Sequence, residues 1–166
     1  MRVGGTVTVD AAGVGPARVR GDARLLARVL RNLVDNAVRH ADGRITVALD
    51  TVAADAVAAG HASDRVGTAG PADPADRADP ADRAGTSGLE ARLTVDDDGV
   101  GIAAADRERV LERFVRLDEG RARDAGGSGL GLAIVDGVVA AHGGSLTVGT
   151  APGGGARFTV RLPAVE

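Results

Sequence analysis

The chain has no cysteine, no lysine and almost no aromatic residues. Without cysteine there are no disulfides, no thiolate metal sites and no thiol nucleophile. Without lysine there is neither a Walker A phosphate loop nor an ordinary protein-kinase site, because both place a lysine at the phosphates. Two phenylalanines, with no tyrosine or tryptophan, leave no platform on which nucleic-acid bases could stack. A formal charge of −3 offers no basic field to nucleic acid or to an anionic membrane. No apolar run approaches the roughly 20 residues that span a bilayer, and no signal peptide opens the chain. The expected location is therefore the cytoplasm.

What is present fits one globular domain of 166 residues, 44% hydrophobic and 26% charged. All 20 basic residues are arginine, which together with abundant Ala, Gly, Asp and Val implies a high-GC genome.

Thr6 to Asp10 alternates as a short strand, and Ala17 to Arg20 offers a second. Asp22 is a good N-cap for a long helix in which Leu25, Leu26, Val29, Leu30, Leu33, Val34, Ala37 and Val38 recur at three- and four-residue spacing, the mark of one buried face. Gly43 is the expected C-cap, and Arg44 to Val52 reads as a strand. Between 53 and 88 the composition shifts to Ala, Gly, Asp, Pro and Arg, with the near-repeat Pro71-Ala-Asp-Pro74-Ala-Asp-Arg and Asp79-Pro80-Ala-Asp-Arg. Such a segment buries too little apolar surface to offset its ordering entropy. It is expected to be a disordered insertion within a single domain, 1–166, since neither flank alone makes a complete core. Leu89 to Asp96 reads as a strand, Ala104 to Phe114 as a helix, and Val115 to Ser128 as a mobile, Arg-rich loop. Leu130 to His142 is again helical, and Ser145 to Gly149 and Arg157 to Leu162 form a hairpin about Pro152-Gly-Gly-Gly155. The pattern predicts an α+β two-layer sandwich: a sheet of about five strands with three main helices on one face.

Three constellations carry chemistry. Asn32, Asn36 and His40 fall at i, i+4 and i+8, a polar stripe on an otherwise apolar helix. A single asparagine there would be a solvent-facing residue. Two spaced by one turn are a costlier choice in mid-helix, and an amide oxygen suits Mg²⁺, which takes few protein ligands beside phosphates and water. Asp97-Asp98-Gly99-Val100-Gly101-Ile102 follows a strand directly. Its glycines allow close backbone approach to a ligand, and a carboxylate there can accept from an exocyclic amine. By itself this segment reads equally well as an acidic turn. Gly126-Gly127-Ser128-Gly129-Leu130-Gly131-Leu132 leads glycines into a helix N-terminus, whose free N–H groups attract phosphate. The G-x-G-x-G spacing and the preceding polar loop set it apart from a dinucleotide-binding fingerprint.

In this order the three segments resemble the N, G1 and G2 boxes of the ATP-binding catalytic domain of bacterial sensor histidine kinases, in the superfamily that also holds gyrase B, mismatch-repair ATPases and a heat-shock chaperone. Leu111-Glu-Arg-Phe114-Val-Arg116 resembles the F box, and Gly153-Gly-Gly155-Ala-Arg-Phe158 resembles the final glycine box and last strand. The resemblance covers the chain apart from the insertion. It implies a Bergerat-type fold with a mobile ATP lid. Asn36 would coordinate Mg²⁺ at the nucleotide phosphates, and Asp97 would hydrogen-bond the adenine amino group. Gly99, Gly101 and Ile102 would shape the adenine pocket. Gly127, Ser128, Gly129, Leu130, Gly131 and Leu132 would wrap the phosphates, with Arg39, Arg116, Arg121 and Arg123 as candidates to neutralise their charge. Phe114 is expected to anchor the lid, Asn32 and His40 to support the site, and His142 to be structural. No side chain is singled out as a catalytic acid or base.

Hydrolysing relatives place a water-activating glutamate one turn before the metal asparagine; Asn32 stands here, and an amide cannot act as a base. Asp35 lies on another side of the helix and is expected to pair with Arg39. Val100 stands where the family often has proline, and Ala156 where a hydroxyl that could help hold adenine through water is common; neither departure removes a phosphate or metal contact. The implied function is binding of Mg-ATP and donation of its γ-phosphate to a histidine on a separate dimerisation domain, with a response regulator downstream. The alternatives are a free-standing anti-sigma-factor serine kinase and a degenerate nucleotide-binding regulatory module. The chain opens within what resembles the family's first strand. It is expected to be a monomeric piece of a larger protein, the cytoplasmic part of a membrane-bound sensor included, and not to phosphorylate itself.

Overall fold

The computed structural model describes residues 6–54, 88–112, 115 and 129–165. The expectations for the insertion, for Phe114, Arg116, Arg121 and Arg123, and for Gly127 and Ser128 fall outside them.

Five strands form one mixed sheet in the order β1-β2-β3-β5-β4: β1 (Thr8–Val14), β2 (Arg44–Ala53), β3 (Leu89–Asp97), β4 (Ser145–Thr150) and β5 (Ala156–Pro163). β1 runs parallel to β2, with a register shift between Asp10 and Gly13, and the remaining pairs are antiparallel. The first strand thus begins and ends later than the alternation predicts. The segment expected as a second strand makes only an isolated bridge, Val19 to Ala164.

Helix α1 (Ala23–His40) starts where the sequence places it. The Asp22 carboxylate accepts from the Arg24 and Leu25 backbone N–H groups at 2.7 and 3.2 Å, a cap that contributes about 1 kcal/mol. Val29, Leu33 and Ala37 are buried, with Leu26 and Val34 packed beside them; burying a side chain of this size contributes about 1.5–3 kcal/mol. The helix ends at His40 with Ala41 in an extended conformation, so Gly43 is not its C-cap. The next two N–H groups, of Asp42 and Gly43, which a left-handed cap would turn back to the helix carbonyls, donate instead to the Asp98 carboxylate. Helix α2 (Gly131–Ala141) is stopped by Gly143 at φ 71°. Where the spacing predicts a third helix after Ala104, there are two 3₁₀ turns, Ala104–Asp106 and Arg109–Leu111. Among the described residues, two α-helices and these turns make up the helical layer.

The core lies between α1, α2 and one face of the sheet. Alternate residues of β5 (Ala156, Phe158, Val160 and Leu162) are buried, and Phe158 and Leu33 are completely enclosed. The opposite face is polar: Arg157 forms a two-pronged ion pair with Asp96 at 2.7 and 2.6 Å, Arg92 pairs with Asp50, and Arg161 with Glu90. His142 joins the two helices, with Nε2 3.2 Å from the Asp22 backbone N–H and Nδ1 2.7 Å from the Val138 carbonyl, in keeping with the structural role expected of it.

Candidate functional site

At the end of β3 three consecutive carboxylates take three different directions. Strand alternation turns Asp96 outward to Arg157 and Asp97 inward. Asp97 is 4% exposed, the one buried charged residue among those described. Its Oδ1 accepts from the backbone N–H groups of Gly99 (3.0 Å) and Ala156 (3.2 Å). Its Oδ2 is buried with no partner. A buried acceptor left unpaired costs about 1–3 kcal/mol, a cost accounted for if a ligand donor meets it.

Close backbone packing surrounds this residue. A Cβ at Gly155 would collide with the Asp97 carbonyl, and one at Gly99 with the His40 carbonyl; at Gly101, φ 71°, it would lie 2.8 Å from the Gly154 carbonyl oxygen. Ile102 is half-buried and packs against the core. Arg107 ties this loop to the end of β4, reaching the Ile102 carbonyl at 3.3 Å and the Thr150 hydroxyl at 2.7 Å. Val100, by contrast, is 89% exposed.

The polar stripe of α1 runs along the same end of the molecule. Asn32 donates from Nδ2 to the Gly131 carbonyl, 3.3 Å away at the first residue of α2. Two turns later, the His40 carbonyl rests on Gly99. Half-buried Asn36 lies one turn from each, between the start of α2 and the loop that holds Asp97. Leu130 precedes α2 and makes no side-chain capping bond, so among the described residues no side chain caps the first N–H groups of the helix, the groups that suit an anion. Gly129 has φ 68°, nothing lies within 4 Å of a Cβ at Gly131, and half-buried Leu132 packs against the core.

The structure sets Asn32 against Gly131 at the start of α2 and, separately, Gly99 against Asp97 and the His40 carbonyl; Asn36 lies on α1 between these two contacts. Arg39 and His40 are exposed at the end of α1, and Arg39 makes no ion pair with Asp35. The two residues had been expected to pair, but both chains point into solvent, where such a pair gains little. Among the described residues no three His, Asp or Glu side chains cluster as a metal site. A metal here would rest on an amide and on ligand oxygens. Sequence reasoning passed over the backbone of Gly155 and Ala156, which holds Asp97 in place. The signal was the Gly153-Gly154-Gly155 run entering β5, and its partner is far away in sequence.

A family model described as histidine kinase-, DNA gyrase B-, and HSP90-like ATPase matches residues 21–166. The chain is 38% identical over 148 residues to the sensor-like histidine kinase SenX3 of Mycobacterium tuberculosis (strain ATCC 25618 / H37Rv), covering 89% of this chain and 28% of that protein. To the sensor histidine kinase CpxA of Escherichia coli (strain K12) it is 33% identical over 149 residues, covering 90% and 25%. Among solved structures, the mycobacterial sensor histidine kinase MprB superposes with a TM-score of 0.65 at 28% identity, over 96% of this chain and 83% of that one. Full-length ShkA in complex with AMPPNP gives 0.61 at 26% identity, over 98% and 26%. The chain thus spans about a quarter of the length of these two curated relatives. Among the described residues no helix is long and apolar enough to cross a membrane.

Proposed function

Because the chain belongs to the histidine kinase-, DNA gyrase B- and HSP90-like ATPase family, we propose that it binds Mg-ATP and donates the γ-phosphate to a histidine on a separate dimerisation domain. The observation that carries this reading is the lone Oδ2 of Asp97, buried and unpartnered, which the reading places at the floor of the nucleotide recess. A carboxylate oxygen in that setting demands a donor, and the exocyclic amine of adenine supplies one. Gly99, Gly101 and Ile102 are the segment against which the flat ring would lie. The uncapped N-terminus of α2 takes the phosphates on its backbone N–H groups, with Gly127 to Leu132 around them and Arg39, Arg116, Arg121 and Arg123 as candidate counter-charges. Asn36 is the residue to hold Mg²⁺; when bound, the ion neutralises phosphate charge and orients the terminal phosphoryl group.

In the transfer, the bond between the γ-phosphorus and the bridging oxygen breaks, ADP leaves, and a bond forms from phosphorus to the acceptor imidazole nitrogen. The chain's contribution is positioning and charge neutralisation. Asn32 favours transfer over hydrolysis: its amide donates to Gly131 and cannot take a proton from water. Partners of the proposed activity are ATP, the histidine-bearing domain and, beyond it, a response regulator, all cytoplasmic.

Titration calorimetry with a non-hydrolysable ATP analogue tests the first step. Binding that strengthens with Mg²⁺ is expected, and absence of binding in its presence refutes the reading. Labelled ATP with an added phosphoacceptor domain tests the second. Acid-labile phosphate on that domain, and none on this chain alone, is the expected result.

A further inference from the structure

Asp98, which pairs with no arginine among the described residues, faces the connection between α1 and β2. Its Oδ1 accepts from the Asp42 N–H at 2.9 Å and the Gly43 N–H at 3.0 Å, and its own N–H donates to the Arg44 carbonyl at 3.2 Å. Gly43 is a junction, since its carbonyl also receives the N–H of Thr8 at 2.9 Å. These bonds fix the chain just beyond His40. The adjacent residue, Gly99, is the surface on which the His40 carbonyl rests. One dipeptide thus grips the C-terminal end of α1 from two sides.

That end matters because Asn36 lies one turn before His40, about 6 Å along the axis. Asp97, the neighbour of Asp98, holds the opposite end of the recess. We propose that Asp98 is a positioning residue that sets the spacing between the adenine-binding carboxylate and the metal-binding amide, so that one nucleotide spans both. The proposal rests on the Mg-ATP reading above. Without the Asp98 carboxylate, the Asp42 and Gly43 N–H groups lose their protein acceptor and the last turn of α1 loses one of its two restraints toward β3. The recess keeps its floor, because Oδ1 of Asp97 is held by Gly99 and Ala156, not by Asp98.

The consequence is selective. A ligand that touches only the adenine end depends little on Asp98; one that must reach Asn36 through Mg²⁺ depends on it strongly. The test compares wild type, Asp98→Ala and Asp98→Asn in titrations with adenosine and with AMPPNP, the latter with and without Mg²⁺. In Asp98→Ala, adenosine affinity is to stay within about twofold while the Mg²⁺-dependent gain for AMPPNP falls about tenfold. Asn keeps an amide oxygen that accepts both N–H bonds, so Asp98→Asn is to recover the gain. Asp98→Ser, with a shorter acceptor, is to give the same split at smaller size, and it serves if the alanine variant does not fold. Equal losses for both ligands, or no recovery by asparagine, overturn the proposal. If wild type itself shows no Mg²⁺-dependent binding, it is the Mg-ATP reading that fails.

Discussion

Replacement of Asp97 by asparagine separates what this residue does for a ligand from what it does for the fold. The two backbone donors, from Gly99 and Ala156, both address Oδ1, so the amide oxygen takes that position and the NH₂ group replaces Oδ2. The native contacts of the carboxylate are then kept. At the recess, however, an acceptor becomes a donor and faces the donor of the adenine amino group. Loss of a hydrogen bond to a charged acceptor costs about 1.5–3 kcal/mol, and burying an unmatched donor adds to it. The sum is about 3 kcal/mol, or about 150-fold in Kd for AMPPNP by calorimetry. Stability moves the other way, because a buried unpartnered charge disappears: the apoprotein is to gain about 1 kcal/mol, seen as a Tm higher by about 2–4 °C. Affinity within threefold of wild type would refute the assignment of Oδ2 as the ligand's acceptor. So would a loss of more than about 1.5 kcal/mol in stability, since the residue would then be needed for the fold itself.

The insertion leaves and re-enters at the end of the sheet opposite the recess, where Ala53 faces Leu89 and the Ala54 N–H donates to the Gly88 carbonyl at 2.7 Å. Replacing residues 55–87 with an Asn-Gly turn suits that hairpin; AMPPNP affinity is to change less than twofold, and the shorter connection is to raise stability by about 2.5 kcal/mol, as read by urea unfolding. His142→Ala removes an acceptor from the Asp22 N–H and a bond to Val138, so it is to cost about 1–3 kcal/mol with nucleotide affinity unaltered; a shift in AMPPNP binding would contradict a purely structural role. The carboxyl of Asp98 is held below the usual carboxylate range by backbone N–H groups of Arg44, Gly43 and Asp42, and that of Asp50 by its hydrogen bond with Arg92. Both are depressed in the folded state, so the stability they contribute is complete above the ordinary carboxylate value of about 3.9 and drains away as pH falls through the lower folded values. Asp98→Asn and Asp50→Asn are each to flatten the acid limb of a stability-against-pH curve below about pH 4; a limb as steep as wild type in both would show that these groups do not titrate in unfolding.

Much of this protein is decided by local chemistry that the chain declares residue by residue. Helix α1, its Asp22 cap and its buried Val29-Leu33-Ala37 stripe follow from spacing alone, because a helix repeats every 3.6 residues whatever surrounds it. The hairpin at Pro152–Gly155 and the stop at Gly143 follow from turn chemistry. The order of the amide stripe, the acidic-glycine segment and the glycine-led helix marks the family. Other features depend on partners distant in sequence and could not be read this way. Helical spacing after Ala104 became two 3₁₀ turns, because Arg107 is drawn to Ile102 and Thr150. Gly43 is not a helix cap, because Asp98 takes the N–H groups that a left-handed cap would turn back to the helix carbonyls.

The run Asp96-Asp97-Asp98 shows the division most clearly. From the sequence, all three are aspartates at the end of a strand, and alternation separates the middle one from its neighbours. Which face was buried, and that Asp96 meets Arg157, Asp97 meets Ala156 and Asp98 meets Gly43, was settled only when β5 and the end of α1 packed against β3. Charge and hydrogen-bonding capacity belong to the residue. Their use is fixed by long-range contacts, because burial and the choice of partner set what each carboxylate is worth.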